Sequence, residues 1–234
     1  MPADITAMTT AITFREPLLG VLRLLTWLSP AFPTGGFAYS HGLEWSIEAG
    51  DITNEPNLRD WIADMLGSGT GWSDAILLRH AHAADSEDLT GLCALGAALG
   101  FGRERRLETC AQGAAFVRAG AVWGGARLAA LAGEKQVPYP IAVGALAADQ
   151  GIEADLATAA YLQAFATSLV SAAIRLIPLG QSAGLRVIAA LEPLIAELAG
   201  QSRAAILDDL GGACFRSDIA ALRHEMQHTR LFRT

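Results

Sequence analysis

Apolar residues recur at helical spacing along most of the chain. Leu58, Trp61, Ile62, Met65 and Leu66 share one face of a helix, with Arg59, Asp60 and Asp64 between them. Thr53 or Asn54 fits the N-cap of that helix, and Glu55 and Pro56 fit its first turn. Leu18, Leu22, Leu25 and Leu28 form an earlier stripe that Ser29-Pro30 stops. Ile188, Leu191, Ile195 and Leu198 form a later one, in which Pro193 predicts a kink or a new start. A terminal stripe, Phe215, Ile219, Leu222 and Met226, leaves His224 and His228 nearly opposite it, facing solvent or a partner. β-Branched runs bounded by turn residues hardly occur, whereas alanine, the best helix former, is abundant.

Helix breaks fall at 67–71, 84–86, Gly124-Gly125, 133–140, 178–180 and Gly211-Gly212, leaving about ten segments of mostly ~8–20 residues. No linker, composition shift or repeat divides the chain. The pattern predicts an all-α, single-domain helical bundle over residues 1–234, with 1–16 as a flexible N-terminus and 216–234 as a C-terminal tail. The small residues of 111–132 and 142–173 would let helices approach closely.

Composition narrows the function. Of 234 residues, 52% are hydrophobic and only 18% charged, which excludes a disordered chain. A formal net charge of −7 opposes general binding to nucleic acid. So little polar surface points to buried subunit or partner contacts. Cys93, Cys110 and Cys214 are odd in number and lack a CxxC spacing, so neither a disulfide framework nor a zinc knuckle is expected; they suit a reducing, cytoplasmic setting. Asp4 and the lack of a basic segment argue against a secretory signal. The uncharged run from Leu156 to Ile174 has the length to span a bilayer. Its Thr158, Gln163, Thr167, Ser168, Ser171 and many alanines instead suit a buried core helix, so no membrane is expected.

Three segments depart from plain packing. In 29–44, Pro30 and Pro33 oppose helix and Gly35-Gly36 permit unusual backbone angles. Ser40 fits the N-cap of the next helix, with Glu44 near its positive end. Such a segment is either a rigid connection or a shaped loop presenting Phe32, Phe37 and Tyr39 to a partner. In Arg103-Glu104-Arg105-Arg106-Leu107-Glu108 the charges fit a solvated face with i, i+4 pairs, or else a charged contact surface. Around the C-terminus, Arg216, Arg223, Arg230 and Arg233 outnumber the acids, reversing the overall sign.

That last segment contains His224-Glu225-Met226-Gln227-His228, an H-E-x-x-H match. In zinc peptidases this spacing sets two imidazoles on one helical face with the glutamate as general base. A zinc metallohydrolase is therefore the alternative function. Few residues follow His228 and none is a ligand, so a third donor would have to come from His41, His80 or His82, while Arg223 and Arg230 would oppose a dication. No metal site is firm; His224 and His228 are candidates for weak, transient contact. His80 and His82, at i, i+2, point apart on a helix and cannot share one ion.

The same residues resemble the urease accessory protein UreF family. Ser29–Glu44 is similar to its SPxFPxGxFxYSxGLE signature, followed by Trp45, Glu48, Ala49 and Gly50. Arg103-Glu104-Arg105-Arg106 with Thr109 and Gly113 resembles a second motif, Ser171–Gln181 its SAAxRLxPLGQ segment, and Arg223-His224-Glu225 with Arg230–Arg233 its terminal RHExQxxRLFRS. His228 stands where the family usually has tyrosine, and that exchange alone creates the zincin-like match.

The resemblance implies a urease maturation factor, not an enzyme, that is an all-α homodimer in the cytoplasm. It implies binding to UreD (also called UreH), to the GTPase UreG and to apo-urease, with Ni²⁺ handled by the complex and no cofactor bound stably. Pro33, Gly35, Phe37, Tyr39, His41 and Glu44 are its partner-binding candidates in the loop. Arg223, His224, Glu225, Arg230, Leu231, Phe232 and Arg233 are those in the tail, which is expected to order only on binding.

Overall fold

Helical spacing becomes helix almost throughout. In the computed structural model, which describes residues 5–100 and 102–233, eleven α-helices and no strand are found among the described residues. They are α1 (Ile5–Trp27), α2 (Leu43–Glu48), α3 (Glu55–Ser68), α4 (Thr70–Ala83), α5 (Leu89–Ala98), α6 (Arg103–Gly120), α7 (Ala126–Leu131), α8 (Tyr139–Asp149), α9 (Ala154–Leu176), α10 (Gly180–Gln201) and α11 (Phe215–His224). Every predicted break separates two of them. Asn54 caps α3 by accepting the backbone N–H of Asn57 at 3.0 Å, and Leu58, Trp61, Ile62, Met65 and Leu66 are its buried face, as the spacing predicts. Helix α1 includes residues 5–16 of the segment read as a flexible N-terminus; residues 1–4 lie outside the described ones.

Helix α8 is the hub, buried along the whole run Pro140–Ala147 and packed between α4, α6, α7 and α9. Small residues make this possible: a Cβ on Gly144 would lie 2.2 Å from the Leu78 carbonyl oxygen, and one on Gly113 would lie 1.8 Å from that of Val137. Helix α9, which by length and composition could cross a membrane, is the bundle's second axis, packed against α2, α3, α4, α8 and α10. Trp27, Phe32, Phe116 and Trp123 interlock at one end of the core.

Two features of the pattern resolve in the structure. Of the kink or new start expected at Pro193, no new start occurs: α10 continues through Pro193, which lies on the exposed face where the unpaired carbonyl one turn earlier meets water. Leu18, Leu22 and Leu25 point outward from α1, while Leu24 and Trp27 enter the core.

Gly113→Ala is expected to destabilise the protein by roughly 3 kcal/mol, because the backbone of 137–138 must move to admit one methyl group. For a domain of this size that is about 6–12 °C in a thermal melt. Gly91→Ala, where a Cβ meets nothing within 4 Å, should not lower the melting temperature.

Candidate functional site

The loop before α2 turns sharply because three residues adopt left-handed backbone angles: Gly35 (φ 75), His41 (φ 56) and Gly42 (φ 75). His41 is the only described non-glycine that does so. The turn aims Glu44, in the first turn of α2, into the protein. Ser40 is not the cap residue proper: Gly42 holds that position, and the Ser40 hydroxyl accepts the Glu44 N–H at 3.4 Å. Of the three aromatics expected to face a partner, Phe32 and Tyr39 are buried and only Phe37, 67% exposed, faces out. Pro33 is exposed and Gly35 half-buried.

Glu44 receives the C-terminus. Its Oε1 accepts the N–H of Leu231 at 2.6 Å, and its Oε2 accepts that of Phe232 at 2.9 Å. The same Oε2 lies 3.3 Å from His224 Nε2. The other ring nitrogen, Nδ1, lies 2.9 Å from Glu104 Oε2, and Arg230 donates to Glu104 Oε1 at 2.5 Å. Glu225 returns the favour by accepting the Glu104 N–H at 3.1 Å, which caps α6. Arg233 N donates to the Ala38 carbonyl, and Phe232 is buried beneath the Arg175 guanidinium, 4.5 Å from ring centroid to carbon. Arg175 in turn donates to the Phe37 carbonyl. All four motifs singled out in the sequence therefore meet at one place.

The tail is thus docked, which corrects the expectation that it orders only on binding. His224 is fully buried, which corrects the expectation that it faces outward. Helix α11 rests on Ser217, Ala220, Ala221 and His224 and turns its apolar stripe away from the core. Phe215, Ile219, Leu222 and Met226 are 70%, 52%, 41% and 78% exposed. Gly42 enforces the contact: a Cβ there would lie 2.6 Å from Ala221 N. Among the tail candidates, Arg223, Leu231 and Arg233 are exposed, and Glu225 is half-buried.

The zinc-hydrolase reading does not survive this geometry. Both ring nitrogens of His224 face carboxylates, so neither lone pair is free for a metal. The helix ends at His224, so His228 does not follow on its face. Glu225 is engaged as the cap of α6. His80 and His82 point to different carbonyls, those of Ala205 and Ile152.

The run 103–108 is solvated on one side only: Arg103, Arg106 and Leu107 are exposed, whereas Glu104 and Glu108 are buried. Glu108, 1% exposed, accepts from Arg105 and from Gln112 and lies 2.9 Å from His41 Nε2. Thr109 accepts the Tyr139 N–H, which fixes the start of α8. Asp74 accepts the Tyr161 hydroxyl at 2.7 Å. Burial pushes the Asp74 carboxyl up to about 6, against the opposing pull of that hydrogen bond. Burial and the Arg105 charge hold His41 below the ordinary imidazole range, against Glu108. Burial, helped by Asp74, raises the Tyr161 phenol. Asp74, Glu108, Gln112, Tyr161 and Arg175 escaped notice as site residues in the sequence. The available signal was an isolated polar residue inside an apolar helical run, such as Asp74 before Ala75-Ile76-Leu77-Leu78.

This polar group separates two cavities. One, about 330 Å³, is lined by Ser73, Gly211, Gly212 and Asp218 beside α11. The other, about 570 Å³, is lined by Leu25, Phe37, Phe165 and Arg175 between α1 and α9. His41, Asp74, Arg105 and Thr109 belong to both walls.

Comparison with known proteins settles the family. The UreF family model matches residues 52–192. The chain belongs to the UreF family. A urease accessory protein UreF of a Bradyrhizobium species is 49% identical over 218 residues, 91% of either chain. One of Rhodopseudomonas palustris is 48% identical over 219 residues, again 91% of each. One of Azorhizobium caulinodans is 47% identical over 234 residues, covering 97% of this chain and all of that one. Membership makes the chain a non-catalytic accessory protein with a role in urease maturation. The relatives' coverage reaches well beyond the residues that the UreF family model matches.

Proposed function

We propose that this UreF-family chain bridges UreD (UreH) and the GTPase UreG while the assembly delivers Ni²⁺ to apo-urease, and that α11 is the surface on which UreD docks. The outward apolar face of α11 carries the proposal. A helix with a clear apolar side should bury it, yet this one is held the other way round by a buried ion-pair group. An apolar face kept exposed by such a device is suited to a partner. Arg216 and Arg223, both exposed, supply a basic rim.

A second copy of the chain covers the other outward apolar face, Leu18, Val21, Leu22 and Leu25 of α1, giving the homodimer. The assembly works in the cytoplasm, where the three free cysteines stay reduced. No cofactor is resident; the nickel ion is cargo.

Capture of the full chain by tagged UreD tests the docking surface. Leu222→Glu with Met226→Glu should weaken capture at least tenfold with unchanged helix content, since two exposed anchors are lost and no core contact is. Undiminished capture would remove α11 from the interface.

A further inference from the structure

Residues 230–233 lie on the body of the protein as a bound peptide lies on its receptor. Helix α11 ends at His224 and residues 225–229 are outside any helix, so the segment hangs on a short tether. Three successive backbone N–H groups are received: those of Leu231 and Phe232 by the two oxygens of Glu44, and that of Arg233 by the Ala38 carbonyl at 2.8 Å. Side chains alternate as on an extended strand. Arg230 reaches Glu104 and Phe232 is buried under Arg175, whereas Leu231 and Arg233 are exposed. Main-chain hydrogen bonds with places for alternate side chains are how a receptor recognises an extended peptide. The sequence that this slot reads is Arg-x-Phe.

The slot is assembled by parts of the chain other than the segment. The turn at His41 and Gly42 aims Glu44, and Glu225 caps the helix that carries Glu104. Both carboxylates also face His224. Arg175 is fixed by its bonds to the Ser171 and Phe37 carbonyls at 3.1 and 3.2 Å. Glu44 and Glu104 are both buried, and loss of the segment would remove two backbone donors from one and a guanidinium from the other. An empty slot is therefore costly, and the segment leaves by exchange for another of the same chemistry.

We propose that this slot is a peptide-binding site for an extended Arg-x-Phe segment, that residues 230–233 are its exchangeable internal ligand, and that the ligand in trans is such a segment of the protein seated on α11. Complementarity selects it: a cation for Glu104, two backbone donors for Glu44 and an aromatic ring for Arg175. The slot adjoins α11, because the same two carboxylates hold His224. A protein docked on that helix presents its own segment at the kind of effective concentration that the tether gives the tail. The identity of that protein rests on the docking reading above; the site does not.

A labelled acetyl-Arg-Leu-Phe-Arg-Thr peptide, titrated with the full chain and followed by fluorescence anisotropy, tests the site. The unsubstituted chain should bind it weakly, since the tethered copy competes. Arg230→Ala with Phe232→Ala cripples the internal ligand and leaves the slot intact, so it should bind the peptide at least tenfold more tightly. A peptide with alanine for its first arginine and its phenylalanine should not bind. Equal affinity of the two chains, or of the two peptides, would overturn the proposal. If the double variant fails to fold, fluorine NMR of the unsubstituted chain labelled with fluorophenylalanine decides. Saturating peptide should move the Phe232 resonance to a solvent-exposed position, and an unmoved resonance would overturn the proposal. A photoreactive benzoylphenylalanine at exposed position 37, on the rim of the slot, should cross-link to UreD. Cross-linking to a second copy of this chain instead would overturn the assignment of the ligand in trans. Free peptide makes no use of the apolar face of α11, so failure to bind it leaves the docking reading standing. Undiminished capture of Leu222→Glu with Met226→Glu counts against the docking reading alone.

Discussion

Replacing Glu44 by alanine is expected to free residues 230–233 from the body of the protein. One carboxylate accepts two backbone N–H groups of the tail and faces His224, so its loss leaves three buried polar groups without their partner. Removing one member of a buried ion pair costs roughly 3–5 kcal/mol, and each orphaned backbone donor adds about 1–3 kcal/mol. The tail escapes this by undocking, because its other anchors, Phe232 under Arg175 and Arg230 on Glu104, lie in the same four residues. Limited proteolysis should then cut after Arg230 or Arg233, while far-ultraviolet circular dichroism changes little. Glu44→Gln should fall between, since its amide oxygen still accepts one N–H while its NH₂ meets another donor. Resistance of Glu44→Ala to cleavage at wild-type rates would mean that the tail is held by something else.

Asp74→Asn should act in the opposite direction and stabilise the protein. The folded carboxyl titrates near 6 and the unfolded one near 3.8. Between those values the native state holds a proton that the unfolded state has released, so the wild type loses stability as pH rises from about 4 to about 6. Above that window the penalty is complete and amounts to roughly 3 kcal/mol. Asparagine cannot ionise, and its oxygen can still accept from Tyr161. Denaturant unfolding should show the variant more stable than wild type at pH 7.5 and equal to it below pH 4. An equal difference at both pH values would show that the charge of Asp74 carries no penalty. A buried acid that costs stability at working pH is the kind of residue retained for function, and Asp74 stands in the wall between the two cavities.

The helices were legible because periodicity is local. The Asn54 cap and the buried face of α3 follow from residues a few positions apart. The orientation of α11 was not legible for the same reason. Its amphipathic pattern says which side is apolar, and the usual inference is that this side goes inward. What overrides the pattern is a pair of carboxylates at Glu44 and Glu104, 180 and 120 residues away from His224 in the chain. A sequence stripe cannot reveal that a histidine will be drawn into the core by acids so distant. Leu18, Leu22 and Leu25 mislead in the same manner: they look like core and lie on the surface.

The motif residues were legible as motifs, but their roles were not. Glu44 and Phe232 suit contacts with other proteins by resemblance, yet in the fold they contact each other's segment. The charged run at 103–108 suits a solvated face because charge is usually solvated; here Arg103 and Arg106 are exposed, but Glu104 and Glu108 are buried and matched by His224 and Arg230 of the tail and His41 of the loop. The isolated Asp74 and Tyr161 became meaningful only when two helices placed them together.

Amide hydrogen exchange on the full chain, with and without saturating UreD, tests the central claim most directly. The outward face of α11 is the proposed docking surface, so exchange over residues 215–226 should slow markedly in the complex while α3 and α10 are unaffected. Protection that appears elsewhere and leaves 215–226 unchanged would contradict the account.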